Sequence, residues 1–365
     1  MDFTPSPLQQ LHVATARDFL GKHCPPETAQ RLALDARGFD EALWRRMAEL
    51  GWPGLLIPSD FGGSDGTLLD VILLVEEMGR AALPGPFVTS AVVATSLLVA
   101  AGSAEQRGRL LPALAAGERI ATLALVEEGG SFDPEGLALR CEVPGRLTGT
   151  KLFVKDAHVA DDLIVALGGD LLLLPADRPG IARLPLDTFS GEKTFEVTFD
   201  TVDVRAGDRL GAPGRGAAAL AAALTAGALA RTAEMVGAAQ RVLDLAVEHA
   251  RTRVQGGRPI GGYQAIQHAC ADLVRDVDTS RWLLYVAAWK VSEGLEAGPD
   301  VATAKADAGE ACLTVARRSH QIFGAIGYCE EHPLHLLHKR IQAASVDFGD
   351  AALHLETVAR EIGLR

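Results

Sequence analysis

The chain has 365 residues, with 35 Lys+Arg against 47 Asp+Glu, a net charge of −12, and 48% hydrophobic and 22% charged residues. That length buries ample core and accommodates two or three domains, and the composition excludes a disordered chain. The acidic balance, with no basic run to offset it, argues against a nucleic-acid binder but leaves room for a polyanionic ligand in a local basic pocket.

Cys24, Cys141, Cys270, Cys312 and Cys329 show no C-x-x-C pair and no metal spacing. Such an odd, scattered set fits small buried hydrophobes in a reducing compartment. Met1-Asp-Phe-Thr-Pro-Ser-Pro7 lacks the basic-then-apolar pattern of a secretory signal. The longest apolar stretch, Ala217 to Ala230, is alanine-rich and too short to span a bilayer. These features predict a cytoplasmic protein without a membrane segment.

Residues 1–117 read as helical. Asp70 to Arg80 and Ser90 to Ala101 are apolar enough for buried helices, Pro84-Gly-Pro86 separates them, and Ser103-Ala-Glu-Gln106 has the form of a capping box. From about 118 to 212 the grammar changes. Leu152-Phe-Val154, Leu163-Ile-Val-Ala166 and Leu171-Leu-Leu-Leu174 are short apolar runs punctuated by Gly168-Gly-Asp170 and prolines. Phe195, Val197 and Phe199 alternate with Glu196, Thr198 and Asp200, as a half-buried strand requires.

Helix returns in 213–365, after the turn-rich Gly211-Ala-Pro-Gly-Arg-Gly216, which has neither the lysine nor the preceding strand of a phosphate loop. The predicted helices cover 217–253, 264–297 with Trp282, Tyr285 and Trp289 on one face, 300–323, and Leu353 to Ile362. His332, His335 and His338 come round one helical side, but no fourth ligand accompanies them, so no metal site is expected.

Two stretches combine phosphate- or purine-holding side chains with glycines that let a ligand approach the backbone. They are Arg253-Val-Gln-Gly-Gly-Arg-Pro-Ile-Gly-Gly-Tyr-Gln264 and Gln321-Ile-Phe-Gly-Ala-Ile-Gly-Tyr328. Together they resemble the R-x-Q-F-G-x-P-I…F-Q and Q-x-x-G-G-x-G-Y signatures of the acyl-CoA dehydrogenase family, in which these motifs reach a neighbouring subunit's FAD. The resemblance implies an α+β fold, with an N-terminal helical domain, a middle β-domain and a C-terminal four-helix bundle. It also implies FAD-binding roles for Arg253, Gln264, Gln321 and Gly324, the arginine as a bidentate fork on pyrophosphate.

Elsewhere the chain departs from the family. Gly256 stands where an aromatic is usual and Ala325 where a second glycine is preferred. The A-L-T-E-P loop becomes Ala124-Leu-Val-Glu-Glu128, so the hydroxyl is lost at Val126. The W-I-T element becomes Phe153-Val-Lys155, leaving Phe153 to pack on a flavin ring. The two positions that hold the family's base fall on Phe348 and Gly227, neither of which takes a proton. The nearest carboxylates are Asp347, Asp350 and Glu234.

The chain therefore keeps what a subunit lends to a neighbour and loses what it uses itself. It looks like the glutamate-lacking subunit of an actinobacterial heteromeric acyl-CoA dehydrogenase acting on steroid side chains. Gly129-Gly-Ser-Phe-Asp-Pro134 and Val154-Lys-Asp-Ala-His-Val-Ala-Asp161 are similar to that group. A homologous subunit, an acyl-CoA substrate and FAD are the implied partners. Two alternatives stand beside this: a homomeric flavoenzyme with a displaced carboxylate base, and a non-enzymatic interaction protein.

Overall fold

A computed structural model describes residues 5–130, 132–133, 136–214 and 216–364. Met1 to Thr4, Ser131 and Pro134 of the Gly129–Pro134 stretch, and Arg215 of the glycine-rich turn lie outside the described residues. The chain divides into two compact units, one of Met1–Arg31, Leu68–Leu83 and Ala228–Arg365, the other of Leu32–Thr67 and Pro84–Gly227. The segments 1–117, 118–212 and 213–365 describe chain order. Packing instead joins part of the N-terminal helical stretch to the C-terminal helices and part to the strands.

The first unit is helical: α1 (Pro7–His23), most of α2 (Pro26–Leu34), and, beyond α3, α4 (Leu68–Arg80). α1 starts on a Ser6–Gln9 capping box. The chain re-enters this unit within α7 (Gly216–Thr252) and continues through α8 (Gln264–Ser292), α9 (Gly298–Phe323), α10 (Leu334–Val346) and α11 (Ala351–Glu361). The predicted stretches 217–253, 264–297, 300–323 and 353–362 fall on α7, α8, α9 and α11.

α7 corrects one expectation. Its helix runs 37 residues, well past Ala230, and is long and apolar enough to cross a bilayer, with 67% of its most apolar window buried inside the protein. α4 and α7 approach at two glycines. A Cβ at Gly79 would lie 2.2 Å from the Glu234 carbonyl oxygen, and one at Gly237 would lie 1.8 Å from that of Glu76. Only a bare backbone permits that crossing.

The second unit carries α3 (Glu41–Glu49), α5 (Thr95–Ala101), α6 (Ala104–Ala115) and two small sheets. The expected capping box opens α6: Gln106 N donates to Ser103 Oγ at 3.2 Å, and Ser103 N to Gln106 Oε1 at 2.9 Å. The buried run before α5 is not α-helical; Phe87–Ala94 is a π-helix, a departure that apolar content alone does not signal.

One sheet orders β1 (Ala121–Ala124), β3 (Asp162–Ala166), β4 (Leu171–Pro175) and β7 (Arg209–Leu210), with β1 parallel to β3. The other orders β2 (Gly145–Lys155), β6 (Thr194–Val204) and β5 (Ile181–Leu186), all antiparallel. On β6 the alternation is realised, with Phe195, Val197 and Phe199 buried and Asp200 exposed.

Candidate cofactor-facing segments and the base position

The Arg253 motif is a hairpin grown from the end of α7. β8 (Val254–Gln255) pairs with β9 (Arg258–Pro259) across Gly256 and Gly257, whose φ of +62° and +81° suit a two-residue turn of positive φ. Arg253 N donates to His249 O at 2.8 Å and Ile260 N to Arg253 O at 2.8 Å, so the backbone at Arg253 is fixed from both sides. Its guanidinium is exposed and has no carboxylate within ion-pair distance among the described residues.

Position 256 is glycine for a local reason. Tyr263 Oη donates to Gln255 O at 3.0 Å and would stand 2.3 Å from a Cβ at Gly256. The Arg258 guanidinium lies 4.0 Å over the same tyrosine ring. An aromatic at 256 would have to displace Tyr263. Gln264, the first residue of α8, is exposed, and Gln267 Nε2 donates to Gly261 O at 2.9 Å behind it.

The Gln321 motif ends α9. Gly324 takes φ +65°, beginning a short 3-10 turn of Gly324–Tyr328, and a Cβ built there meets nothing within 4 Å. Gln321 points outward and is exposed. His249 of α7, whose carbonyl accepts from Arg253 N, lies 4.6 Å, ring to ring, from Phe323 of α9. An exposed guanidinium, an outward amide and an unobstructed glycine backbone fit a dinucleotide's pyrophosphate and purine.

The other predicted cofactor residue belongs to the second unit. The β2–β6 register shifts between Lys151↔Val197 and Val154↔Phe195, a bulge that leaves Leu152 and Phe153 opposite one residue. Phe153 takes φ +55° and is 61% exposed, so it is turned out of the sheet and free to pack on a planar ligand. Lys155 turns away into an ion pair with Glu192 at 2.7 Å.

Sequence reasoning missed what holds that bulge. Lys151 is fully buried, its Nζ donating to Leu125 O at 2.9 Å and Glu127 Oε1 at 2.6 Å. Glu127 also accepts from Ala138 N at 2.7 Å and Leu139 N at 3.1 Å. Burial lowers the Lys151 pKa against the pull of Glu127. Burial alone would raise Glu127, but Lys151 and the two amides outweigh it and hold the carboxyl below its ordinary range. The pair fixes the Leu125–Glu127 backbone beside β2.

The candidate bases are all engaged. Glu234 is buried between Arg231, whose Nη1 lies 2.5 Å from Oε2, and Arg340, whose Nε lies 3.0 Å from Oε1. Asp347 pairs with the other nitrogen of Arg231 at 2.5 Å. Asp350 is the N-cap of α11, accepting from Leu353 N at 2.9 Å.

Between the two aspartates, Phe348 sits at φ +56°, a conformation a bulky residue adopts only when its surroundings impose it. Lys305, fully buried, donates to Ser345 O at 2.8 Å and Gly349 O at 2.9 Å, clamping the turn from beneath. His354 Nε2 lies 3.0 Å from Phe348 O. Burial pushes the Lys305 pKa down to about 8, with Asp347 pulling the other way. A proton acceptor here would first have to leave an arginine or a helix cap.

Family models described as Acyl-CoA dehydrogenase, N-terminal domain, and Acyl-CoA dehydrogenase, C-terminal domain, match residues 6–118 and 214–363. The chain is 31% identical to the acyl-CoA dehydrogenase FadE27 of Mycobacterium tuberculosis over 99% of each chain. It is 30% identical to a chain of the ChsE4–ChsE5 complex from Mycobacterium tuberculosis, at a TM-score of 0.90 over 100% of both. It is likewise 30% identical to the Tcur3481–Tcur3483 steroid acyl-CoA dehydrogenase, at a TM-score of 0.89 over 98% of both.

Proposed function

This chain belongs to the acyl-CoA dehydrogenase family, an oxidoreductase family with FAD as its cofactor, and from that premise we propose that it is the lending subunit of a hetero-oligomer. In this reading Arg253, Gln264, Gln321 and Gly324 hold the pyrophosphate and adenine of an FAD seated on a homologous partner, and the partner supplies the base. The substrate is an acyl-CoA thioester with a steroid side chain as its acyl group.

One contrast carries the reading. The side chains suited to FAD, those of Arg253, Gln264 and Gln321, are exposed and make no side-chain hydrogen bond or ion pair among the described residues, whereas Glu234, Asp347 and Asp350 are held by arginines or a helix terminus. Relatives named as a two-component complex and as a steroid enzyme support it. The flavin supplies the hydride acceptor for α,β-oxidation. This chain's own part would be to hold and orient: Arg253 would hold the pyrophosphate, and the bare backbone at Gly324 would let the purine approach.

The test is to purify the chain alone and with a co-expressed homologous subunit, then record visible spectra and FAD stoichiometry. About one FAD per pair of chains, with acyl-CoA oxidation only in the pair, is the expected result. A homotetramer saturated with one FAD per chain and turning over alone would overturn it in favour of a displaced base. Absence of colour in every combination would leave an interaction protein.

A further inference from the structure

Beneath the Gln321–Tyr328 segment lies a cluster of histidines that the proposed function does not use. His320, on the last turn of α9 and 7% exposed, places Nε2 3.0 Å from Nδ1 of His338 on α10. Its ring centroid is 5.0 Å from that of Tyr328, at the far end of the segment. Phe323 is flanked by His249 of α7 at 4.6 Å and by His332 at 4.5 Å. His332 Nδ1 accepts from Leu334 N at 3.3 Å, and His335 Nε2 lies 3.0 Å from Glu330 O. Histidine rings thus support the segment at both ends and along its side.

From these contacts we propose that His320 and His338 are positioning residues: as a neutral pair they hold Gln321 and Gly324 in the conformation that meets FAD, and acid releases that hold. The inference rests on the lending reading above. A His–His hydrogen bond needs one N–H and one lone pair. When both rings have taken up an added proton, Nε2–H and Nδ1–H face each other at 3.0 Å with no lone pair between them, and the contact cannot persist.

The surroundings favour the neutral form. Burial is the main cause depressing His320, His338, His332 and His249. The further charges acting on them are cationic or imidazole: Arg253 of α7 on His249, Arg317 of α9 on His338, and His335 of α10 on His320 and His332. At His320 the backbone of Gly327, second only to burial, acts in the opposite direction. Tyr328, Cys329, Glu330 and Glu331 in the connecting turn are exposed, and Glu330 meets His335 through its carbonyl, not its carboxylate. With folded pKa values below the unfolded value of about 6.5, the stabilisation is complete above that pH and is lost as pH falls below it.

The test follows hydrogen–deuterium exchange of residues 321–329, and FAD retention after desalting, in the two-subunit complex at pH 7.5 and 5.5. The expected result is at least threefold faster exchange in the segment at pH 5.5, corrected for intrinsic rates, with matching loss of FAD. His338→Asn, whose amide can offer either a donor or an acceptor near the Nδ1 position but does not titrate, should retain FAD at pH 7.5 and flatten both profiles. His338→Leu should exchange fast at both pH values.

Equal exchange and equal FAD at the two pH values in the wild-type complex would overturn the proposal. So would an unchanged pH dependence in a folded His338→Asn complex, or exchange that responds while FAD retention does not. A complex that fails to bind FAD even at pH 7.5 would instead count against the lending reading itself.

Discussion

Within the first unit, the Arg253 hairpin and the Arg231–Glu234–Arg340 cluster are both rich in guanidinium, yet they stand in opposite states. Around Glu234 each arginine meets a carboxylate inside the protein: Arg231 joins Glu234 to Asp347, and Arg340 joins Glu234 to the Leu83 carbonyl. On the hairpin, Arg253 is exposed and meets no carboxylate among the described residues. An arginine whose donors are satisfied internally is structural. One held by a fixed backbone with its fork open toward solvent is available to an anion from outside the chain. The same side chain is thus committed within the protein in one place and exposed in the other, and the difference is set by what packs around it.

The largest expected effect tests the buried side of that comparison. Glu234→Ala leaves Arg340 and Arg231 without their shared carboxylate and should destabilise the fold by about 3–5 kcal/mol, read as a lowered denaturant midpoint. The double variant Glu234→Leu with Arg340→Met removes the stranded charge and should recover much of the loss. A loss below about 1 kcal/mol in the single variant would mean that the cluster behaves as a surface pair, and the contrast with the hairpin would fail.

The pH dependence of Lys305 sharpens the same side. Its pKa falls to about 8 in the fold from an ordinary value of 10.5. Between those values the unfolded chain binds the extra proton, so the Lys305 contribution favours folding increasingly as pH rises through the window and is lost as pH falls through about 8. The stability difference between wild type and Lys305→Met should therefore grow in favour of wild type by up to about 1.4 kcal/mol per pH unit between pH 8 and 10. A difference flat with pH would show that Lys305 is not the buried ion its contacts imply.

On the hairpin, Arg253→Ala should weaken FAD binding by the complex at least tenfold, from the loss of charge-assisted bonds worth about 1.5–3 kcal/mol each. Folding stability should stay within about 0.5 kcal/mol of wild type, and Arg253→Lys should recover part of the affinity. FAD titration into apo-complexes, beside denaturant unfolding of the same variants, separates binding from folding. An unchanged affinity would sink the lending role. Gln321→Ala removes a neutral amide bond and should cost least, about 1 kcal/mol or roughly fivefold.

Features governed by near neighbours were legible in the sequence. The Ser103–Gln106 box, the alternation of Phe195, Val197 and Phe199, and the glycine after Phe323 are decided within a few residues, and the structure forms each as written. The π-helix at Phe87–Ala94 was not legible, because apolar content does not distinguish helix types, and α10 begins only at Leu334, so His332 lies before it and His335 and His338 on it. Lys151 and Lys305 were invisible for another reason. A lysine in sequence reads as surface, and both are fully buried by partners 24 to 44 residues away.

By itself the sequence determined the family, the α+β order of elements and the two cofactor-type motifs, since these depend on residue types at fixed short spacings. Only the tertiary structure decided which of those residues stay exposed and which are committed to partners. It set His249 against Phe323, turned Phe153 outward on a bulge, and fitted Tyr263 against Gly256. It also committed Glu234, Asp347 and Asp350 to arginines and a helix cap. The physical reason is that a side chain's availability depends on what satisfies its hydrogen bonds and charge, and those partners arrive from distant parts of the chain.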